Sequence, residues 1–263
     1  MKSSWAGAAL MAGGIATLLW LERRKPLRRA VDRGSARIAR NLAVGAITAV
    51  TVSAFERPLV KRLSVLAEKR NWGVVPRLPM PSAWRHITAV LLMDYTLYWW
   101  HVLLHRSPLL WRLHEPHHAD LDLDASTGVR FHFAEFLASI PWRCAQIVAI
   151  GVRPRTLALW QKLTLCEVLF HHGNARLPVA LERQLVRLIV TPRMHGIHHS
   201  VIRAERDSNF SSGLTVWDRL HATSRIDLSR DDVKIGLLEH QHARDVTVGK
   251  TLALPFHSAL RTR

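Results

Sequence analysis

The chain has 263 residues, enough for one large domain or two small ones, and carries a formal net charge of +17 at pH 7. Two cysteines, Cys144 and Cys166, provide no disulfide framework and read as small buried hydrophobes in apolar stretches. The charge invites a nucleic-acid reading, but its placement argues against one: eight basic residues crowd between Arg23 and Arg40, with uncharged runs on either side.

In chain order, the first of those runs is Trp5 to Leu21, bracketed by Trp5 and Trp20 as interfacial aromatics bracket a span. The basic block follows it, as in a cytoplasmic loop, so the run reads as a retained anchor with its amino terminus outside and not as a cleaved signal. The second run, Asn41 to Phe55, is shorter. Residues 56–86 are mixed, and Pro58, Pro76, Pro79 and Pro81 predict a connecting stretch of interfacial helices. A third run starts near Ile87 and reaches His101. A fourth covers 136–152, and a fifth, 157–170, contains Lys162 and Glu167 and ends at His171. The last three either span the bilayer or lie in its interface.

The expected fold is an all-α integral membrane protein with four to five membrane or interfacial helices. Residues 1–60 would form membrane anchors around a basic loop at 23–40, and 61–87 a connector. A histidine-rich catalytic domain would cover 88–225 and a cytoplasmic tail 226–263. Threading the spans from an outside amino terminus brings every histidine group to the cytoplasmic face, which in a bacterium is the inner face of the inner membrane.

Ten of the sixteen histidines fall into four groups. His101 and His105 are four apart; His114, His117 and His118 read H-x-x-H-H; His171 and His172 are adjacent; His195, His198 and His199 repeat H-x-x-H-H. Helical residues three and four apart share a face, so each group offers two or three imidazoles to one point. Eight to ten imidazoles are too many for one ion and suit two. Asp94, Tyr98, His101 and His105 share one stripe, which places Asp94 to orient an imidazole or to bond an Arg of a neighbouring helix. Pro116 is expected to start the helix of the second group, and Pro192 lies just ahead of the fourth.

Familiar alternatives fail on ligand type. Structural zinc sites typically include cysteine, the H-E-x-x-H motif is absent, and carboxylate-rich di-iron bundles need more Glu than lies nearby. An all-imidazole pair of ions at a membrane surface remains.

The text D-Y-T-L-Y-W-W-H-V-L-L-H at 94–105, H-E-P-H-H at 114–118, R-F-H-F-A-E at 130–135, F-H-H-G-N-A-R-L-P at 170–178 and T-P-R-M-H-G-I-H-H-S at 191–200 resembles the fatty acid hydroxylase superfamily of sterol desaturase-like membrane enzymes. D-S-N-F at 207–210 and W-D-R-L at 217–220 extend the likeness to roughly 88–225. It implies two iron ions, with zinc as a possible occupant, and O2 as co-substrate for hydroxylating or desaturating a lipid. The ligands it implies are His101, His105, His114, His117, His118, His172, His195, His198 and His199. His171, His132, Asn174 and Asp94 become supporting residues. Val102, Phe133, Phe210, His221 and Ala222 depart from the family's usual residues and leave the substrate open. His221 stands either at the site mouth or on the surface.

The chain carries no dinucleotide fingerprint, C-x-x-C-H or iron–sulfur cysteine cluster, so electrons would come from an external ferredoxin-, cytochrome- or reductase-type donor. The partners expected are thus a lipid substrate, that donor and the membrane, with no nucleic acid. Two other readings stay open: a zinc enzyme of non-redox chemistry, and a catalytically silent lipid-binding relative.

Overall fold

The computed structural model describes residues 2–32, 34–229 and 231–257, with residues 2–10 described by backbone alone. The side chain of Trp5 and the chain end from 258 lie outside those described residues.

Among the described residues the protein is all-helical, with isolated bridges and no strand. α1 (Lys2–Arg24) leads into an extended stretch that pairs with residues 174–176. α2 (Ser35–Thr51) buries Arg37, Asn41, Val44 and Thr48, a single helical stripe. A π-helical turn at Val52–Glu56 passes directly into α3 (Arg57–Arg70). The helix therefore runs through Pro58 instead of breaking there; the π-helical turn, with the Arg57 N–H bonded back to the Val52 carbonyl, sits just where the proline's missing N–H interrupts the α-helical ladder.

α4 (Ser82–Arg106) and α5 (Pro108–His118) meet at Ser107, whose hydroxyl accepts from the Leu110 N–H at 3.4 Å. Pro108, not Pro116, starts α5; Pro116 lies in its last turn. α6 (Phe133–Ile150) and α7 (Pro154–His172) form a tight hairpin. Gly151 closes α6 at φ 82, with the backbone of Trp72 packed where a Cβ would stand. The hairpin returns His171 and His172 to the end of the molecule where α6 begins. Short helices follow: α8 (Val179–Leu185), α9 (Pro192–His198), α10 (Arg203–Arg206) and α11 (Val216–Leu220). Residues beyond 226 are less of a tail than expected. α12 (Val248–His257) packs against α2 and α5, and its Thr251 hydroxyl accepts from Arg130 Nη2 at 2.8 Å.

Three segments among the described residues are long and apolar enough to cross a membrane: Ser35–Arg77, Ser82–Arg106 and Phe133–Ile150. The main apolar core, including Val60, Ala67, Met93, Ile147 and Trp160, ties α3, α4, α6 and α7 together. Outward faces stay apolar, with Leu42, Val50, Phe55, Ile87 and Leu91 exposed, as suits lipid contact. Cys166 belongs to such a face: it is exposed and Cys144 half-buried, so neither is the buried residue expected from its apolar neighbours. In a membrane helix an apolar surrounding does not imply protein burial.

Part of the basic block turns inward. Arg37 is buried against Asp120 at 3.4 Å and Asp124 at 2.8 Å, and Arg28 donates to the Pro192 carbonyl at 3.2 Å. These arginines clamp the loops that follow the second histidine group and precede the fourth.

Candidate metal centre

Four elements deliver the imidazoles: the last turns of α4, α5 and α7, and the whole of α9 with His199 at its end. Thr191 caps α9 by accepting from Met194 N–H, and Pro192 opens it. A Cβ at Gly196 would meet the Arg28 guanidinium, so a larger residue there would displace that arginine from the loop it clamps.

Nine buried histidines gather into two groups that could hold metal ions. His101, His105, His114, His118 and His198 form one, and His117, His172, His195 and His199 the other, with the ligand nitrogens of each group within 4.8 Å of one another. Each H-x-x-H-H divides between them. The i, i+4 pairs His114/His118 and His195/His199 stay together, while His117 and His198 point into the opposite group.

Outer hydrogen bonds set the ring orientations. Nδ1 donates to the carbonyl of Phe210 from His101 at 2.7 Å, of Arg130 from His117 at 3.2 Å, of Val168 from His172 at 2.8 Å and of Ser208 from His198 at 2.8 Å. His114 Nδ1 donates to Glu135 Oε2 at 3.0 Å. A neutral imidazole holding its proton on Nδ1 presents a bare lone pair at Nε2.

The residues fit metal ions on that ground. His117 and His172 both donate through Nδ1, yet their Nε2 atoms stand 3.1 Å apart with no proton left to share. His195 Nε2 lies 3.1 Å from those of both His172 and His199. Metal–nitrogen bonds of about 2.0–2.1 Å put neighbouring ligands about 3.0–3.4 Å apart. Nε2 of His101, His105 and His198 is buried without any hydrogen-bond partner. A cation resolves both the crowding and the orphaned lone pairs.

Burial, reinforced by neighbouring imidazoles, holds His117, His118, His195, His198 and His199 well below the ordinary histidine range. The sign follows: below about pH 6.5 the unfolded chain takes up protons that the folded site refuses. Stability is complete above that pH and falls as pH drops. The unfolding temperature in detergent should decline from pH 7.5 to 5.5 with release of bound metal, and a flat profile would contradict the burial of these rings.

The supporting residues expected from sequence land differently. His171 lies beside the second group, its ring centroid 4.0 Å from that of His195, and donates through Nδ1 to the Ser212 carbonyl at 3.0 Å. Asp94 orients no imidazole; it accepts from Trp217 Nε1 at 2.7 Å and Leu214 N at 3.2 Å, because its stripe on α4 diverges toward the 214–217 turn. His132 caps α6 and reaches the Leu252 carbonyl, and Asn174 pairs with the backbone of Arg28. His221 stacks on Tyr95 and Tyr98, away from both groups. Glu135 was missed as a partner of His114. The two lie on different helices, and the signals present were an acidic residue opening an apolar helix and its place at the end of the R-F-H-F-A-E text.

Beneath the histidines lies a cavity of about 390 Å3 between α2, α4, α6 and α7. Its wall is mostly apolar, with Leu97, Trp100, Val129, Phe131, Phe136 and Val168 leading to His101, His114, His117 and His172. A pocket of this size accommodates a small-molecule ligand or a length of lipid.

Fold and site together define a class: an all-helical membrane protein with two buried imidazole groups at the end of an apolar cavity. The chain belongs to the fatty acid hydroxylase family, whose model matches residues 86–223. It is similar to the ornithine lipid hydroxylase OlsE of Rhizobium tropici, with 31% identity over 144 residues covering 54% of this chain and 42% of that protein. Similar too are the alkylglycerol monooxygenase of Homo sapiens, with 28% identity over 56% of this chain and 32% of the relative, and the lathosterol oxidase of Mus musculus, with 25% identity over 53% and 46%. The chain thus spans about a third to a half of the length of these relatives. No solved structure matches it at a significant level.

Proposed function

We propose that the protein is a membrane-bound di-iron oxidoreductase that uses O2 to hydroxylate or desaturate a lipid C–H bond. The observation that carries this reading is the junction of two all-imidazole groups with an apolar cavity between apolar helices. Relatives named as hydroxylase, monooxygenase and oxidase of lipid molecules agree with it. His101, His105, His114, His118 and His198 would hold one iron, and His117, His172, His195 and His199 the other. Iron bound there supplies activation of O2.

The chain's own residues do the rest. Carbonyl and Glu135 acceptors hold the Nδ1 protons of His101, His114, His117, His172 and His198 outward, keeping their Nε2 atoms bare. Phe131, stacked on His117 with ring centroids 4.2 Å apart, and the apolar wall exclude water. In hydroxylation one oxygen atom enters the C–H bond and the other leaves as water, using two electrons and two protons from a ferredoxin-, cytochrome- or reductase-type donor. Arg28 and Arg37, from a basic loop, clamp the histidine end, which supports a cytoplasmic placement by the positive-inside rule.

Lipid mass spectrometry of cells with and without the chain tests the reaction, together with metal analysis of purified protein. We expect an oxygen-dependent lipid heavier by one oxygen or lighter by two hydrogens, and two irons per chain. Zinc alone with no oxygen-dependent product sinks the reading.

A further inference from the structure

Away from the histidines the cavity ends in charge. Glu56 and Arg143 line it, both are buried, and both sit on segments apolar enough to cross a bilayer. Ionisable residues inside a membrane are costly and are kept where they serve a ligand or pathway. Their mutual pairing is loose: Arg143 Nε stands 3.8 Å from Glu56 Oε1, and neither Arg143 Nε nor Glu56 Oε2 has a hydrogen-bond partner. Arg143 also donates to Gln146 Oε1 at 2.9 Å and lies over the Trp160 ring at 4.6 Å. Trp160 Nε1 and Thr164 Oγ1, one turn apart on α7, line the same cavity and are likewise buried without a partner. Glu56 ends the π-helical turn, a feature that recurs at functional sites because it re-aims side chains.

The separation from the histidines is fixed by α6. Glu135, Ser139 and Arg143 all line the cavity at i, i+4 and i+8. Eight residues of helix span about 12 Å.

We propose that Glu56, Arg143, Trp160 and Thr164 bind a neutral hydrogen-bonding group of the lipid substrate, a hydroxyl or an amide, and so determine which lipids are accepted. The inference rests on the lipid-oxidising reading above. Arg57 also lines the cavity but is exposed, so the buried charges are those of Glu56 and Arg143, which sum to zero, and a phosphate or ammonium held between them would bury a net charge. A hydroxyl or amide accepts from Arg143 Nε or Trp160 Nε1 and donates to Glu56 Oε2, and it reaches a site within the bilayer at little cost. With C–C bonds of about 1.5 Å in an extended chain, the attacked carbon lies on the order of ten carbons from that group.

The test compares binding of hexadecanol, its methyl ether and hexadecane to the metal-loaded full chain in detergent, read as ligand-dependent rise in unfolding temperature. Wild type should bind the alcohol about tenfold or more tightly than either other compound, the effect of a hydrogen bond to a charged group. The Glu56→Gln/Arg143→Met double variant removes both charges together and strands neither. It should lose most of the preference for the alcohol. Equal binding by wild type, which needs no variant, or an undiminished alcohol preference in the double variant overturns the proposal. Iron content and oxygen-dependent product are measured on the same preparation. Preference without either supports this site while removing the oxidase reading; both without preference removes this site alone.

Discussion

The His198→Ala variant will lose bound metal and oxidise lipid more than about 100-fold more slowly, since loss of a residue that merely supports a ligand already costs 10–100-fold. His198 Nε2 is buried and unpartnered, aimed into the group of His101, His105, His114 and His118. His195→Ala tests the other group in the same way, because His195 Nε2 lies within 3.1 Å of both His172 and His199. His257→Ala, exposed on α12, should keep wild-type metal and rate. Metal content per chain and single-turnover product are the measurements. Full metal occupancy in either variant would remove that group as a metal site.

Glu135→Ala should cost metal affinity about 10–100-fold while leaving all nine imidazoles in place. The Glu135 carboxylate is the one side chain that accepts from a Nδ1 of the first group at hydrogen-bond distance. Without it His114 is free to carry its proton on either nitrogen, and half of its tautomers point an N–H at the cluster. Glu135→Gln retains an oxygen that can accept, and so should recover most of the loss. A metal titration comparing the two variants decides the matter. Equal loss in both would indicate that charge matters and orientation does not.

The histidine spacing was legible because helical geometry is local. His114 and His118 had to share a face, and His117 had to fall off it, whatever the rest of the chain did. The membrane character of the central helices was legible from their length and polarity. What joins distant segments was not. Glu135 meets His114 from another helix, and the Phe210, Arg130 and Ser208 acceptors are carbonyls that any residue type carries. The proline reading failed twice: Pro58 follows a π-helical turn inside continuous helix, and Pro116 lies within the last turn of α5, so packing of the surrounding helix outweighs the one backbone hydrogen bond each proline removes. Asp94 shared the stripe of His101 but lay two turns away, far enough for another loop to claim it.

Arg28 and Arg37 leave the ribosome early, yet the groups they engage emerge late: Asp120 and Asp124 midway, Pro192 in the final third. Translation proceeds from the amino terminus, so these two arginines must wait for their partners while most of the chain is made. The pocket for metal cannot close until α9 has been released and docked. Loading is therefore an event of the finished polypeptide, and a truncated nascent chain would be inserted but empty-handed.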